Sequence, residues 1–317
     1  MIPTLPTRRI ADLTVSQIGL GCMPNSWGEK ADDREAGIAA IQAGLDAGIT
    51  LLDTADIYAP AWNAMGHNER LTGEALRTWN APEEAKARVV IATKGGITRR
   101  PGEEWGRNGS LDYLLRAVEA SACRLGVDHI DIWQHHRMDP SIPFETQFEH
   151  VLALREHGIV RRIALSNVSA EMLRRAIRLG GGPLDGGVVS VQNEFSPRYR
   201  QWADVIDLCT EHGIAFLPWS PLGGRSFFEE LPTRFATIRE IADARGVSPY
   251  VVALGWHLRL SPVVIPIPGA STAASATDSA SAATFVLSDD EFARIQASLP
   301  ESDVLGEELT PEPAFRD

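Results

Sequence analysis

The feature that most constrains this chain is a repeated alternation of short apolar runs with amphipathic stretches. The runs, rich in Val, Ile and Leu, are Val15–Leu20, Ile49–Asp53, Val89–Thr93, Ile130–Trp133, Arg162–Leu165, Val188–Gln192, Ile214–Pro218 and Val263–Ile267. Between them apolar residues recur at three- and four-residue spacing, as in Ile38, Ile41 and Leu45 or Leu111, Leu114, Leu115 and Val118, which is helical periodicity. Several of these stretches stop at a glycine (Gly48, Gly126, Gly158, Gly213) and pass within a few residues into the next run. That is how a left-handed cap and a short helix-to-strand loop read in sequence.

Continuous apolar strands alternating with amphipathic helices predict a parallel sheet covered by helices. Eight such units in about 260 residues predict an α/β fold closed as a (β/α)8 TIM barrel, not an open doubly wound sheet. The open-sheet fingerprint is missing: Gly19-Leu20-Gly21 is followed by Cys22-Met23-Pro24, which completes no dinucleotide-binding glycine loop. No P-loop and no Gly-Xaa-Ser-Xaa-Gly elbow occurs. Arg8–Gln17 reads as an N-terminal β-hairpin. Gly269–Thr284, almost wholly Gly, Ala, Ser, Thr and Asp, reads as the last loop and helix of the repeat. Leu287–Leu299 reads as an extra C-terminal helix capped by Ser288. The expectation is one domain over residues 1–317, with a barrel core at about 14–285 and an irregular tail at 300–317.

Composition excludes several partners. Thirty Lys and Arg against 42 Asp and Glu leave a formal charge of −12, and no basic run exceeds two residues, so neither nucleic acid nor an anionic membrane is expected. No apolar stretch approaches the roughly 20 residues of a spanning helix, and Met1-Ile2-Pro3-Thr4 lacks the pattern of a signal peptide. Three cysteines (Cys22, Cys123, Cys209) share no metal-ligand spacing, and their odd number argues against a disulfide framework. These observations predict a cytoplasmic enzyme without a metal, acting on a small molecule as a monomer or small homo-oligomer.

In a parallel barrel the active site lies at the C-terminal ends of the strands. There the sequence places Asp53-Thr54-Ala55-Asp56-Ile57-Tyr58, Thr93-Lys94, Gln134-His135-His136, Ser166-Asn167, Gln192-Asn193, Trp219-Ser220-Pro221-Leu222-Gly223 and Gly269-Ala270-Ser271-Thr272. A carboxylate, an ammonium, a phenol and an imidazole thus converge on one rim. A phenol with a pKa near 10 is a poor acid at neutral pH. An adjacent buried ammonium is expected to lower that pKa, and a carboxylate to hold the ammonium charged and aimed. Such a group protonates a carbonyl oxygen while hydride reaches the carbon, which is worth roughly 10²–10⁴ in rate.

These motifs, together with Ile130-Asp131-Ile132-Trp133 and Ile265-Pro266-Ile267-Pro268-Gly269, resemble the aldo-keto reductase superfamily, in order and at family-like spacing from about Arg9 to Leu299. The resemblance implies a barrel that binds a nicotinamide cofactor without a Rossmann domain. It implies Tyr58 as proton donor, Lys94 and Asp53 as its supports, and His136 as the histidine that orients the substrate. Strand neighbours face opposite ways, so only one of His135 and His136 enters the pocket.

For the cofactor, the resemblance implies Ser166, Asn167 and Gln192 at the nicotinamide carboxamide and Trp219 stacked on the ring. Ser220, Leu222, Gly223 and Arg225 fall along the diphosphate, and Gly269, Ala270, Ser271 and Thr272 offer backbone amides to a phosphate. Family members that prefer NADP carry basic residues after the last strand. This chain has Gly269, Ser275, Asp278 and Ser279 there, and no Lys or Arg between Leu260 and Arg294. A 2′-phosphate favours an arginine fork, whereas Asp278 suits a free ribose hydroxyl. The family implies NADP and the local residues favour NAD.

Loop position makes Trp27, Ile57, Trp62, Trp105 and Met138 the candidates for the substrate pocket. Arg137, Asn63 and His67 leave room for a hydroxylated compound, and Arg99-Arg100 in the long loop 95–110 is a candidate for an anionic one. The expected activity is NAD(P)-dependent interconversion of an aldehyde or ketone and its alcohol. The competing readings are an NAD-dependent sugar or alcohol dehydrogenase using the same site, an aldolase with a Schiff base on Lys94, and a cofactor-binding subunit without turnover.

Overall fold

An antiparallel hairpin of β1 (Thr7–Ile10) and β2 (Leu13–Ser16) opens the chain, ahead of the parallel strands β3 (Leu20–Gly21), β4 (Leu51–Asp53) and β5 (Val90–Gly95). A second hairpin, β6 (Ile97–Arg100) and β7 (Glu104–Arg107), then precedes β8 (Ile132–His135), β9 (Ile163–Ser166), β10 (Val188–Gln192) and β11 (Ala215–Phe216). Helices α1 (Arg34–Asp46), α2 (His67–Thr78), α3 (Glu83–Lys86), α4 (Leu111–Leu125), α5 (Phe144–Glu156), α6 (Ala170–Gly180) and α7 (Ala203–His212) lie between the strands. They are followed by α8 (Leu231–Arg234), α9 (Ala236–Arg245), α10 (Pro249–Leu260), α11 (Ala273–Ser281) and α12 (Asp289–Ser298). This computed structural model describes residues 2–224 and 227–303.

The parallel strands pair in the order β11-β10-β9-β8-β5-β4-β3, and the segment 263–269 closes the ring as its eighth member. On one side Ile265 N–H donates to Phe216 O at 2.8 Å; on the other Gly19 and Gly21 N–H donate to Pro266 O and Pro268 O, each at 2.9 Å. Pro266 and Pro268 have no N–H to return toward β3, so the bond coming back is that of Ala270 N–H to Gly21 O at 3.4 Å, and the segment holds as isolated bridges. At this seam a Cβ on Gly21 would stand 3.0 Å from Ile267 O, which explains a glycine at the tightest approach of the closure. The fold is a (β/α)8 barrel.

Burial follows the period of two. Leu51, Val90, Ala92, Ile132, Ala164, Val189, Ala215, Leu217, Ile265 and Ile267 fill the barrel interior, and Ile10 and Val15 of the first hairpin pack into the same cluster. The alternate residues, such as Trp133, Ile163, Leu165, Val191 and Phe216, face the helices in the larger outer core.

Two expectations are refined. The apolar run Val15–Leu20 is not one strand but two. Ser16 Oγ donates to Ile18 O at 2.7 Å and Ser16 N–H to Thr50 Oγ1 at 2.8 Å, which bends the chain between the hairpin and β3. The long loop 95–110 contains the β6–β7 hairpin, with Arg99 paired to Trp105 across it. The Ala- and Ser-rich stretch does form α11, capped by Thr272 and Ser275 in a reciprocal box. Its Ala276 and Ala280 pack with Leu20, Ile41 and Leu45. The extra helix is α12, with Ser288 and Glu291 forming a second capping box. Among the described residues no helix is long and apolar enough to cross a membrane. Residues 304–317 of the expected tail lie outside them.

Candidate active site

Strand parity and stagger bring the titratable groups together. Asp53 ends β4 on the inward parity of Leu51. Lys94 extends the inward series Val90 and Ala92 and sits in register with Gln134 of β8. In β10, Val188 pairs with Ile163 but Val191 pairs with Leu165, so three residues answer two. This bulge lets Val189 and Gln192 both point inward although they are an odd number of residues apart.

The result is a buried polar layer over the apolar interior. Lys94 Nζ donates to Asp53 Oδ2 at 2.6 Å, to Thr54 O at 2.8 Å and to Tyr58 OH at 3.2 Å. On its other oxygen, Asp53 Oδ1 accepts from Gln192 Nε2 at 2.7 Å and Gln134 Nε2 at 3.1 Å. Lys94 is 0% exposed and Asp53 3%. A buried charge pair is tolerable only when its remaining lone pairs and protons are satisfied. Here all three ammonium protons have acceptors and both carboxylate oxygens have donors.

The electrostatics fix the protonation states. Burial works against the Lys94 ammonium, but the Asp53 charge, Tyr58 and their hydrogen bonds together overcome it, and the Lys94 pKa is raised. Burial also raises the Tyr58 pKa, more than Lys94 lowers it, and Asp53 adds to the rise. This corrects the sequence argument, which expected Lys94 to win. The phenol keeps its proton at neutral pH. His136 is held well below the usual imidazole range, first by burial and then by the charges of Lys94 and Arg137, so its ring is neutral.

The adjacent histidines separate by parity. The His136 ring stands edge-on to Tyr58, with centroids 5.8 Å apart and planes at 84°. His135 turns outward, stacks on Trp133 with centroids 6.0 Å apart, and shares a 3.1 Å hydrogen bond between its Nε2 and Gln147 Oε1 of α5.

The candidate cofactor residues lie along the same rim. Asn167 adopts a left-handed φ of 57°. Its Nδ2 donates to His136 O at 3.1 Å and Ser166 Oγ at 2.9 Å, and its Oδ1 accepts from Trp219 Nε1 at 3.2 Å. Ser166 Oγ donates to Gln192 O at 2.7 Å. Ser220, Gly223 and Gly224 have φ of 49°, 97° and 86°, so the chain after Trp219 turns sharply. Leu222 packs partly buried on the outer core, and Arg225 lies outside the described residues. Gly269 is exposed and Ala270 buried, while Ser271, Thr272 and Ser275 sit at the α11 N-terminus. Two residues are committed elsewhere: Gln192 Nε2 holds Asp53, and Asp278 Oδ2 accepts from Ser248 Oγ at 2.7 Å. Ser279 is buried in α11.

Sequence reasoning missed Lys30. It lies in the turn after β3, remote in sequence from α11, yet its Nζ donates to Ser271 Oγ. A cation therefore stands at the loop where the local sequence has none. It placed Gln134 at the rim but gave it no role, although its inward parity in β8 was a signal for one.

The substrate candidates divide. Trp27 and Trp105 are half-buried, and the Arg99 guanidinium lies 5.9 Å and 4.6 Å from their ring centroids. Arg99 is itself buried. It donates to Ala59 O at 2.7 Å and Pro60 O at 3.3 Å and pairs with Glu103, so it pins the β6–β7 hairpin to the Tyr58 loop. That corrects its candidacy as a free anion contact. Trp62 is exposed, its N–H donating to Glu103 Oε1 at 2.9 Å. Ile57 is fully buried with Ala55, Tyr58 and Ile97, and Met138 packs on the outer core instead. His67 Nδ1 is bonded to Ser26 Oγ at 2.8 Å. Among the described residues no group of three His, Cys, Asp or Glu side chains is arranged to hold a metal.

A family model for the Aldo/keto reductase family matches residues 17–300. An uncharacterized oxidoreductase of Schizosaccharomyces pombe is 33% identical over 293 residues, covering 91% of this chain and 88% of that protein. A probable aldo-keto reductase 1 of Glycine max is 31% identical over 320 residues, covering 92% and 88%. Among solved structures, an aldo-keto reductase from Klebsiella pneumoniae in complex with NADPH is 27% identical with a TM-score of 0.75, covering 96% of this chain and 100% of that one.

Proposed function

The chain belongs to the aldo/keto reductase family and is an NAD(P)-dependent oxidoreductase, and from that premise we propose that it reduces the carbonyl group of a small aldehyde or ketone with Tyr58 as the proton donor. The observation that carries this reading is the single ammonium of Lys94 bonded at once to Asp53 and to the Tyr58 hydroxyl.

When bound, the nicotinamide supplies hydride to the carbonyl carbon. The side chains then have separable tasks. Tyr58 keeps its proton at neutral pH and gives it to the carbonyl oxygen as negative charge develops there. Lys94 stabilises the phenolate that remains, and its charge is worth most because the site is dry. Asp53, gripped by Gln134 and Gln192, fixes the ammonium in place. His136 is neutral, so it hydrogen-bonds the carbonyl oxygen without competing as an acid. Trp27 and Trp105, steadied by Arg99, form an apolar wall beside Tyr58.

The rim suits a dinucleotide. Trp219, oriented by Asn167, offers a flat face for the nicotinamide, with Ser166 and Asn167 beside it. The left-handed turn begins at Ser220, and at Gly223 and Gly224 it offers a diphosphate backbone without a Cβ. Gln192 serves by holding Asp53. At the adenosine end, the α11 N-terminus with Ser271, Thr272 and Ser275, joined by Lys30, favours a phosphate. Asp278 is engaged by Ser248. These features favour NADPH over NADH.

A Schiff-base role for Lys94 is disfavoured, because an ammonium with three acceptors and a raised pKa is a poor nucleophile. Fluorescence titration with NADPH, followed by NADPH oxidation with a panel of aldehydes, tests the proposal. Binding with aldehyde-dependent oxidation is expected, and binding without turnover on any aldehyde or ketone contradicts it.

A further inference from the structure

The cations near Tyr58 differ in how they are satisfied. Lys94 has three acceptors, Arg99 has Glu103 and two carbonyls, and Arg107 Nη1 donates to Met138 O at 3.0 Å. Arg137 is 6% exposed, yet no hydrogen bond or ion pair reaches its guanidinium from any described residue. A guanidinium carries five donors, and none of the Arg137 nitrogens is a sealed, unpaired polar atom, so its head still reaches solvent and can receive a ligand. Arg137 directly follows His136, and the groups whose charges act on it are Arg107, Glu194 and Tyr58. Asp139 acts on Arg107 and Asp53 answers Lys94, whereas the carboxylate acting on Arg137 is Glu194, with no ion pair between the two.

We propose that Arg137 binds a carboxylate of the substrate, and that this site therefore prefers oxo acids to neutral carbonyl compounds. The proposal rests on the reading that the carbonyl lies between Tyr58 and His136. Burial lowers the Arg137 pKa only to about 10, so the group is charged at neutral pH. Its planar fork matches a carboxylate in two parallel hydrogen bonds, which would orient the carbonyl as well as hold the anion.

The test compares 4-carboxybenzaldehyde with its methyl ester, equal in shape at the carbonyl and different in charge, using NADPH. The wild-type protein is expected to favour the acid in kcat/KM. Arg137→Gln should lower the acid-to-ester ratio about 10²-fold, mainly through KM, with NADPH titration confirming a bound cofactor. Arg137→Lys should recover part of the ratio, keeping charge without the fork. Benzoate should inhibit the wild-type protein competitively against the acid, and benzamide should not, which reads the same contact without a variant. An unchanged ratio in Arg137→Gln, or equal inhibition by benzoate and benzamide, overturns the role of Arg137 while leaving carbonyl reduction standing. Turnover of the ester without the acid overturns this proposal alone, and absence of turnover on every aldehyde and ketone overturns the reduction reading and this proposal with it.

Discussion

Lys94 Nζ lies 3.2 Å from the Tyr58 hydroxyl and 4.9 Å from the centroid of its ring. The ammonium therefore touches the phenol at the atom where charge would develop. Burial nevertheless holds the Tyr58 pKa above its ordinary value. The two facts suit a proton donor. The ground state keeps the proton, and the ammonium is in place for the anion that forms when the proton leaves.

The protonation states set the pH dependence. Since the phenol pKa is raised, carbonyl reduction should persist through neutral pH and fall only as pH rises through the Tyr58 pKa, above 10. Because the His136 pKa is lowered well below 6.5, the imidazole stays neutral from pH 6 upward. A kcat/KM profile for reduction should therefore show no inflection near 6.5 attributable to His136. Alcohol oxidation, which needs the phenolate, should rise with pH. A reduction profile that climbs with pH through 8 would contradict these states.

Lys94→Met tests the coupling of stability to the site. Removing the ammonium leaves the Asp53 carboxylate buried against Gln134 and Gln192 with no counter-charge. Breaking a buried pair in this way costs about 3–5 kcal/mol. Adding Asp53→Asn, which removes the stranded charge, should return a large part of that loss, as measured by denaturant unfolding of the two single variants and the double. Additive losses would mean that the pair is not coupled.

The division between legible and illegible features follows from physical range. The eight-unit repeat was readable because parity and helical spacing are local. So was the separation of His135 from His136, since alternation along a strand fixes it. The inward turn of Gln192 was not, because it depends on a bulge against β9 that no periodicity in Val188–Gln192 announces. The β6–β7 hairpin was hidden by Pro101 and Gly102, which read as loop, while the partners of Ile97 and Trp105 are Ala55, Ile57 and Tyr58, about 40 residues away in sequence. Burial misled the argument about Tyr58. Its sign was foreseeable, but whether it exceeded the effect of Lys94 required the enclosure to be seen.

Lys30 shows the same limit over a longer span. The residues after the last strand carry no cation, yet the turn after β3 delivers one to Ser271. Lys30→Met should weaken NADPH binding about tenfold more than NADH binding, the scale of one charge-assisted contact. Equal losses for the two cofactors in parallel fluorescence titrations would place Lys30 away from the 2′-phosphate.

Helix packing gives a prediction independent of the chemistry. At Gly73 in α2, a Cβ would stand 2.3 Å from the Leu125 carbonyl oxygen, a backbone atom that cannot swing aside. Alanine raises helix propensity by about 1 kcal/mol over glycine, whereas overpacking costs about 1–3 kcal/mol, occasionally more. With the obstacle in the backbone the clash should dominate, so Gly73→Ala should lower the thermal midpoint. A midpoint raised by the substitution would show that α2 and α4 are less tightly apposed.

In the proposed reaction Tyr58 delivers the proton. Tyr58→Phe keeps the ring, its contact with His136 and the apolar wall, and removes only the hydroxyl. Single-turnover reduction of an aldehyde by protein saturated with NADPH, with cofactor affinity measured alongside, isolates that one atom. Cofactor affinity should stay within about twofold of wild type while the rate falls by roughly 10²–10⁴. A variant that binds NADPH and turns over at a near wild-type rate would contradict it.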